Sequence, residues 1–426
     1  MVIFKNGTII DPKTSFMGKK DIAIEGNRIA KIEEDIPVSK EDTVYDCTGK
    51  YIGPGLVDVH VHFRDPGFTY KEDIESGSIA AAKGGFTSVI LMANTKPAVD
   101  NAETIQYILD KGNKTGIHVY TCANITEGMK GEALTDFKAL LEAGAIGFTD
   151  DGAPLLDEDL VKRAMENAVS TDSVLSFHEE DPQYITNNGV NRGKASEHFG
   201  IGGSDSRAEI SMVDRDINLA MQTGAKVNFQ HQSTKEAIEL IREAKKLPKG
   251  KNLYAEATPH HIALTQDAVI AHGTMAKMNP PLREESDRQA IIEGLKDDTI
   301  DIIATDHAPH STEEKSKGLE KSPFGIVGLE TAFGVLYTNL VREKIISLDR
   351  LIRLMSINPR KRFSLDDSDS EASFTVFDLN NEYTIDSHDF LSMGKSTPFD
   401  GKSVYGKCRL TMFKGDAVWI ENSTER

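Results

Sequence analysis

Leu56-Val57-Asp58-Val59-His60-Val61-His62-Phe63 is a short, largely apolar segment that ends in two histidines two positions apart. Its β-branched residues favour a strand, and its apolar character is that of a strand buried on both faces. Seven further short apolar segments follow it along the chain, at 87–92, 117–123, 145–149, 174–177, 226–230, 253–257 and 301–305.

Helical periodicity follows most of these segments. Apolar residues recur three and four positions apart at 132–142, 159–169, 235–244 and 287–295. A strand followed by a helix, repeated eight times, is the pattern of a (β/α)8 barrel. We therefore predict an α/β fold in which a barrel of this kind occupies residues 54–365.

The two ends of the chain show short strand patterns separated by turn residues. Turns are expected at Lys5-Asn6-Gly7 and Glu25-Gly26-Asn27. The strand-like stretches are Val2-Ile3-Phe4, Ile22-Ala23-Ile24, Phe374-Thr375-Val376-Phe377, Leu410-Thr411-Met412-Phe413 and Ala417-Val418-Trp419. Neither end has enough strands for a stable sheet of its own. We therefore predict that 1–53 and 366–426 together build one small β-sandwich domain; two separate extensions are the alternative.

Composition and charge exclude several classes of function. The chain has 426 residues and a formal net charge of −18, from 49 basic and 67 acidic side chains. Nucleic acids and anionic membranes are bound by basic surfaces, so this charge argues against both as partners. The three cysteines form no CxxC pair, which argues against a disulfide framework and a thiolate zinc site. Because we find no signal peptide and no apolar run of about 18 residues, we expect a cytoplasmic protein without a membrane span.

Metal-binding side chains stand where five of the predicted strands end. In a barrel, the carboxyl ends of the strands converge on one face, and catalytic groups lie there. A lone histidine is more often structural than a ligand, but five strand ends with such side chains together predict a metal site. The residues are His60 and His62 after the first strand, Asp150 and Asp151 after the fourth, His178 after the fifth, His231 after the sixth and Asp306 after the eighth.

The number and type of these side chains indicate two metal ions. Residues two apart in a strand point to the same face, so His60 and His62 can bind one ion. Up to six protein ligands exceed what one tetrahedral zinc uses, so we expect two ions about 3.5–4 Å apart with a bridging carboxylate. Imidazoles and carboxylates suit Zn²⁺ first, with manganese, cobalt or iron as alternatives. His260 and His261 follow the seventh strand and are interpreted as loop or outer residues.

Several stretches resemble known proteins. Residues 53–62, Gly53-Pro54-Gly55-Leu56-Val57-Asp58-Val59-His60-Val61-His62, resemble the metal-binding signature of the amidohydrolase superfamily. The resemblance to type I dihydroorotases spans nearly the whole chain, and its motifs are specific as a set. They are His62-Phe63-Arg64-Asp65-Pro66-Gly67, Met92-Ala93-Asn94-Thr95, Phe148-Thr149-Asp150-Asp151-Gly152, Ala304-Thr305-Asp306-His307-Ala308-Pro309-His310 and Pro323-Phe324-Gly325.

This resemblance implies a reaction and a role for each ligand. The reaction is the reversible conversion of N-carbamoyl-L-aspartate to L-dihydroorotate and water, the third step of de novo pyrimidine synthesis. Asp306 would also move a proton between the attacking water and the leaving nitrogen. The implied ligands are His60, His62 and Asp306 for one Zn²⁺, His178 and His231 for a second, and Asp151 as the bridge. The residues alone leave open whether Asp150 or Asp151 bridges.

The substrate keeps a carboxylate outside the reacting bond, and Arg64 is its natural bidentate partner. The alternative for Arg64 is a surface salt bridge, and for Asn279 a turn position before Pro280. The expected carboxylate-binding residues are Arg64, Asn94 and His310, and the residues expected at the amide edge of the ring are Asn279, Phe324 and Gly325. His62 is a further expected substrate-binding residue. The long polar stretch at 311–323 is predicted to be a mobile lid, with a solvated loop as the alternative.

Two other hypotheses share parts of this pattern. One is a cyclic amidohydrolase that acts on hydantoin, dihydropyrimidine or allantoin; related enzymes of that kind bridge their metals with a carboxylated lysine, where this chain has Asp150-Asp151. The other is a non-catalytic barrel that supports aspartate carbamoyltransferase, which is disfavoured because all six ligands are present. A homodimer, and an association with aspartate carbamoyltransferase in addition to catalysis, are compatible with the sequence.

Overall fold

The structure, a computed structural model, describes residues 1–365 and 371–421. β1 pairs antiparallel with β2 on one side and parallel with β4 and β5 on the other, and β2 pairs antiparallel with β3. The bounds are β1 (Val2–Asp11), β2 (Phe16–Glu25), β3 (Arg28–Glu33), β4 (Thr43–Asp46) and β5 (Tyr51–Pro54).

The turn predicted at Lys5-Asn6-Gly7 was wrong, because these residues lie inside β1. The register between β1 and β2 shifts between Phe4 and Gly7, and Asn6 has a left-handed φ of 64°. Asp21 Oδ1 accepts the backbone N–H of Asn6 at 2.8 Å. A β-bulge therefore takes up the turn-forming residues without ending the strand.

Eight parallel strands follow and form the predicted barrel, which is confirmed. Neighbouring strands pair in two runs, the first three and the last five. Bridges between Ala123 and Phe148 and between Val61 and His307 join the two runs into a closed ring. The strands are β6 (Leu56–Val61), β7 (Phe86–Leu91), β8 (His118–Thr121), β9 (Phe148–Thr149), β10 (Val174–Phe177), β11 (Lys226–Phe229), β12 (Leu253–Ala257) and β13 (Ile302–Ile303).

Helices connect the barrel strands and pack outside them. Their bounds are α1 (Ile74–Gly84), α2 (Ala102–Gly112), α3 (Phe137–Glu142), α4 (Glu158–Ser170), α5 (Lys194–Phe199), α6 (Arg207–Thr223), α7 (Lys235–Lys245), α8 (Pro259–Ala263), α9 (Asp267–His272), α10 (Glu285–Lys296), α11 (Thr312–Lys315), α12 (Gly318–Lys321), α13 (Ala332–Leu336), α14 (Leu348–Ile352) and α15 (Asn358–Arg362). Within the described residues, no helix has both the length and the apolar character needed to cross a membrane.

Three of the four quoted helical patterns coincide with α4, α7 and α10. The pattern at 132–142 started too early, because the helix begins only at Phe137. Asp136 caps it there: its side chain accepts the backbone N–H of Ala139 at 3.1 Å. An N-cap aspartate has extended backbone and sets the first residue of the helix, so the helix starts after Asp136 even though the apolar spacing begins earlier.

The remaining strands return to the N-terminal sheet. β14 pairs antiparallel with β5 and with β17, so both ends of the chain share one eight-stranded sheet, as predicted. The proposed domain boundary after residue 53 falls within β5, and residues 366–370, where the second boundary was placed, lie outside the described part. The strands are β14 (Phe374–Asp378), β15 (Tyr383–Thr384), β16 (Ser403–Val404), β17 (Lys407–Phe413) and β18 (Asp416–Ile420).

The sheet is fastened to the barrel next to α1. The Thr375 hydroxyl donates to the carbonyl of Gly85 at 2.7 Å, and the Thr411 hydroxyl donates to the carbonyl of Ala82 at 2.6 Å. Phe377 of β14 is fully buried and stacks on Phe333 of α13, with ring centroids 3.9 Å apart. The side chains of the sheet therefore complete the apolar core of the barrel.

Replacement of Phe377 by alanine is expected to destabilise the whole chain. The lost stack leaves a cavity between sheet and barrel, and Phe377→Ala should cost about 3–5 kcal/mol of unfolding free energy. Denaturant unfolding followed by circular dichroism measures this. Phe16→Ala, at a side chain 38% exposed in β2, is the control and should cost about 0.5 kcal/mol or less. Equal losses for the two variants would contradict a shared core.

Candidate metal centre and active site

The six predicted ligands meet at the carboxyl end of the barrel, and all six are buried. His60 lies in β6, and the other five lie just beyond the ends of β6, β9, β10, β11 and β13. Their ligand atoms form three overlapping groups, each within 4.8 Å: His60, His62 and Asp151; Asp151, His178 and His231; and His60, His231 and Asp306. Closure of the barrel thus assembles one centre from distant parts of the chain.

The carboxylate of Asp151 lies at the middle of this centre. Its Oδ1 is 3.5 Å from His60 Nε2, 3.5 Å from His178 Nδ1 and 3.8 Å from His231 Nε2. Its Oδ2 is 3.4 Å from His62 Nε2. One carboxylate therefore faces the imidazoles of both sides, as a bridging ligand must.

Asp306 occupies the opposite edge of the centre. Its Oδ1 is 3.0 Å from His62 Nε2 and 3.4 Å from His60 Nε2. Burial raises the pKa of this carboxyl group, but the neighbouring His60 and His62 outweigh burial and hold the pKa below its usual range. Asp306 is therefore ionised at neutral pH and can accept a proton.

Three polar residues that line the pocket have left-handed backbone, which is uncommon outside glycine. The φ angles are 59° for Arg64, 33° for His231 and 47° for Asp306. Each follows the end of a barrel strand, and each conformation costs of order 1–3 kcal/mol. The packing around the strand ends maintains these conformations and turns the three side chains into the pocket.

The residues present fit a divalent metal centre. Among the described residues, His60 Nε2 and Asp151 Oδ1 are buried without any hydrogen-bond partner, although both are strong polar groups. Burial lowers the pKa of His178, but Asp151 and Glu180 outweigh it and raise that pKa to about 10. The centre therefore favours positive charge, and its imidazole and carboxylate donors are those that Zn²⁺ prefers.

Asp150 points away from the centre. Its Oδ1 accepts the backbone N–H of Ile125 at 2.9 Å and the side-chain N–H of Asn124 at 3.2 Å, and its Oδ2 accepts the Thr126 hydroxyl. Consecutive residues project in opposite directions, so only one of the two aspartates can face the metals. Asp151 is therefore the aspartate that faces the centre. The residues alone had left open which of the two does so.

A cavity of about 300 Å³ opens beside the metal centre. Arg64, Asn94, Asn279, His310 and Phe324 line it together with His62 and Asp306. The predicted residue Gly325 is not in the lining; it lies behind Phe324 and against the ring of His310. The structure therefore brings the predicted substrate-binding residues to one pocket, with Gly325 one layer behind.

Arg64 and His310 are neighbours in the lining of the cavity. Arg64 Nε donates to the carbonyl of Pro309 at 3.3 Å, and its Nη2 lies 3.4 Å from His310 Nε2. Lys71 Nζ lies 3.3 Å from the other ring nitrogen of His310. Burial, and then the charges of Arg64 and Lys71, lower the pKa of His310 to about 2. Lys71 is paired with Glu314 Oε1 at 2.9 Å, so Arg64 is the cation that the lining of the cavity offers to an anion, next to a neutral imidazole.

Two asparagines connect the pocket to the metal centre. Asn94 Oδ1 lies 3.0 Å from His62 Nδ1, and Asn94 Nδ2 donates to Asp151 Oδ2 at 3.2 Å. Asn279 Nδ2 lies 3.5 Å from His178 Nε2, and its Oδ1 accepts the backbone N–H of Gly189 at 3.1 Å. Both side chains are oriented by these contacts and still face the cavity.

Glu256 and Glu180 support the ligands, and sequence reasoning assigned a role to neither. Glu256 Oε2 is 3.1 Å from His60 Nδ1, and its Oε1 accepts from Asn228 Nδ2 at 2.5 Å. Glu180 Oε2 is 3.0 Å from His178 Nε2. Such carboxylates fix the ring orientation and tautomer of metal-binding histidines. The signal for Glu256 was an acidic residue inside an otherwise apolar barrel strand.

His260 and His261 lie in the short helix α8 rather than in the predicted loop. His261 lies 2.8 Å from the Thr258 hydroxyl through Nδ1 and 3.0 Å from the carbonyl of Pro280 through Nε2. Both rings are buried, and neither belongs to the ligand groups found among the described residues. Both therefore lie outside the candidate ligand groups, which agrees with their interpretation as outer residues.

Comparison with known proteins finds a matching family model and relatives that are similar over nearly the whole chain. The family model described as "Dihydro-orotase-like" matches residues 49–237. A protein of Clostridioides difficile named dihydroorotase is 49% identical, over 98% of this chain and 100% of its own length. One of Clostridium acetobutylicum with the same name is 45% identical, over 98% and 99%.

Solved structures share the whole fold at lower identity. The L-hydantoinase of Arthrobacter aurescens has a TM-score of 0.87 and 25% identity, over 99% of this chain and 96% of its own. The D-hydantoinase of a Thermus species has a TM-score of 0.83 and 22% identity, over 99% and 97%. The architecture of barrel and sheet is therefore common to this chain and to these hydantoinases.

Glu256→Gln is expected to weaken metal binding through His60. The amide cannot hold His60 Nδ1 and Asn228 as the carboxylate does, and the loss of such a partner lowers metal affinity or activity about 10–100-fold. Metal titration followed by elemental analysis measures it. The control, Glu236→Gln on the exposed face of α7, should bind metal like the wild type. Equal metal affinity of the two variants would mean that metal binding by His60 does not depend on the contact with Glu256.

Proposed function

The chain belongs to the dihydroorotase family of metal-dependent cyclic amide hydrolases, and on that basis we propose which of its residues perform each part of the reaction. The reaction converts N-carbamoyl-L-aspartate reversibly to L-dihydroorotate and water. The observation that supports the assignment most directly is that one pocket is lined both by Asp151, which lies among four imidazoles, and by Arg64.

The proposed metal set is two Zn²⁺ ions. His60, His62 and Asp306 would hold one ion, His178 and His231 the other, and Asp151 both; the overlapping ligand groups around Asp151 support this division. Bound there, the metals would supply an activated water nucleophile at neutral pH and a Lewis acid for the carbonyl oxygen.

Asp306 is proposed to move the proton. In the hydrolytic direction its carboxylate accepts the proton of the attacking water and delivers it to the ring nitrogen that leaves. In the biosynthetic direction it takes the proton from that nitrogen as the C–N bond forms and delivers it to the departing hydroxyl, which leaves as water. Its ionised state, held by His60 and His62, and its place in the lining of the pocket support this role.

Arg64 is proposed to bind the substrate carboxylate that does not react, with Asn94 and His310 beside it. A guanidinium offers two parallel N–H donors to a carboxylate. Burial and the charges of Arg64 and Lys71 keep the imidazole of His310 neutral. The proposed contact of His310 with the anion is therefore that of a neutral group. The chain is strongly acidic as a whole, and the positive charge of Arg64 is what an anionic substrate requires.

The ring's amide edge is proposed to contact Asn279 and the backbone around Phe324. Asn279 lies between the metal ligand His178 and the cavity, and Phe324 forms the facing wall. Gly325, behind that wall, is proposed to contribute through its backbone. Contacts along this edge would orient the ring carbonyl toward the metal centre.

The wider role proposed is the third step of de novo pyrimidine synthesis in the cytoplasm. A homodimer and an association with aspartate carbamoyltransferase stay predictions. The hypothesis of a non-catalytic barrel has no support in the site, because all six ligands and the pocket beside them are present.

Dihydroorotate is expected to be the preferred substrate, and Asp306 to be required. Hydrolysis of dihydroorotate, dihydrouracil and hydantoin should be compared on one preparation of known metal content. Asp306→Asn should lower kcat by about 10²–10⁴-fold, because the amide cannot accept the proton. Chelation should abolish activity, and Zn²⁺ should restore it. Asp214→Asn, on the exposed surface of α6, is the control. Faster hydrolysis of the uncharged rings would favour a hydantoinase instead.

Arg64→Met is expected to weaken binding of the charged substrate. Loss of a buried charge pair costs about 2–5 kcal/mol, so KM for dihydroorotate should rise about 30-fold or more. Steady-state kinetics measure KM and kcat separately. Arg163→Met, at an exposed position of α4, should leave both unchanged. An unaltered KM in the Arg64 variant would mean that another group binds the carboxylate.

A further inference from the structure

The segment 311–325 forms one wall of the catalytic pocket. It contains α11 and α12, so the long polar loop predicted there is partly helical. Pro323 and Phe324 line the cavity, and Gly325 packs against His310. A Cβ at position 325 would lie 2.8 Å from His310 Cδ2.

Two lysines that contact this segment, Lys277 outside it and Lys315 within it, are almost completely buried. Lys277 is 3% exposed and Lys315 is 1% exposed. Lys277 Nζ donates to the carbonyls of Leu319 at 2.6 Å and Ser322 at 2.8 Å. Lys315 Nζ donates to the carbonyls of Pro323 at 3.1 Å and Gly325 at 3.0 Å. The segment is therefore held by amine groups along its second half.

Carbonyl groups are the only partners found for these amines among the described residues, where neither forms an ion pair with a carboxylate. A buried ammonium is costly unless its hydrogen bonds are made. Burial, and then the charge of Lys277, lower the pKa of Lys315 to about 7. A neutral amine still has two N–H groups, enough for both carbonyls. In either protonation state, opening of the segment would leave buried polar groups without partners.

Both backbone groups of Gly325, its N–H and its carbonyl, form hydrogen bonds. Its N–H donates to the carbonyl of Lys277 at 2.9 Å, and its carbonyl accepts from Lys315 Nζ. Gly325 has a φ of 149°, in the region that favours glycine, and it touches His310, which in turn lies against Arg64. A chain of contacts therefore runs from the two lysines to the residue proposed to bind the substrate carboxylate.

We propose that Lys315 and Lys277 are positioning residues that hold residues 319–325 as the substrate-facing wall of the pocket and thereby set the affinity for the carboxylated substrate. The inference rests on the proposed substrate contacts of Arg64, His310 and Phe324. It assigns no part of the bond-breaking step to either lysine, because neither lines the cavity.

The test is Lys315→Met in the full-length, metal-loaded chain. Methionine fills a similar volume but cannot donate, so two carbonyls lose a partner. KM for dihydroorotate should rise about tenfold and kcat should change less than about threefold, since the loss of a buried hydrogen bond weakens binding and spares the metals. Hydrogen–deuterium exchange should accelerate at the amides of 319–325, and metal content should stay at the wild-type level.

Two further variants make the result specific. Lys317→Met removes an exposed lysine from the same segment and should leave KM and exchange unchanged. Lys315→Gln keeps an N–H₂ group, so its KM and exchange should lie between those of the wild type and the methionine variant. If Lys315→Met does not fold, Lys277→Met is examined with the same readouts.

Unchanged KM and unchanged exchange in the Lys315 and Lys277 variants would overturn the proposal. A parallel fall of kcat and metal content without a rise in KM would overturn it too, since that is what general structural damage produces. Failure of the proposed substrate contacts looks different: exchange at 319–325 would accelerate, but Arg64→Met would leave KM for dihydroorotate unchanged.

Discussion

Closure of the barrel is the interaction on which the site depends. The backbone N–H of His62 donates to the carbonyl of His307 at 2.8 Å, and the buried Asp58 carboxylate accepts the backbone N–H of Thr305 at 3.1 Å. These bonds join the first strand to the last. Without them, His60 and His62 would not face Asp306, and neither the metal centre nor the pocket beside it would exist.

Charge is distributed over the pocket in two opposed parts. Asp151 and Asp306 make one side negative enough to favour bound cations, and the carboxylates of Glu256 and Glu180 extend that effect to the far ring nitrogens of His60 and His178. Arg64 gives the other part a positive charge beside His310. A substrate with an amide at one end and a carboxylate at the other matches this arrangement, and an uncharged ring uses only half of it.

Sequence patterns predicted the barrel, the joining of the two ends and the strand-end residues, because periodicity and alternation are local properties. They failed where a local signal was overruled by a contact. Asn6 is a turn former, but Asp21 holds it in a bulge; the spacing at 132–142 is helical, but Asp136 starts the helix later. The stretch 311–323 was predicted to be a mobile lid. It contains α11 and α12, and the buried Lys277 and Lys315 donate to backbone carbonyls within it. Its mobility stays a prediction.

What the sequence determined by itself was which strand ends carry the candidate ligands, since each of these strand ends follows its own apolar segment in the chain. Only the tertiary structure decided which side chains reach the centre: Asp151 but not Asp150, and Glu256 as the partner of His60. The physical reason is that a side chain's direction and its hydrogen-bond partners depend on residues brought close by the closed barrel, often from the other half of the chain. The local sequence pattern therefore predicts the strands, whereas long-range packing determines which side chains are in contact.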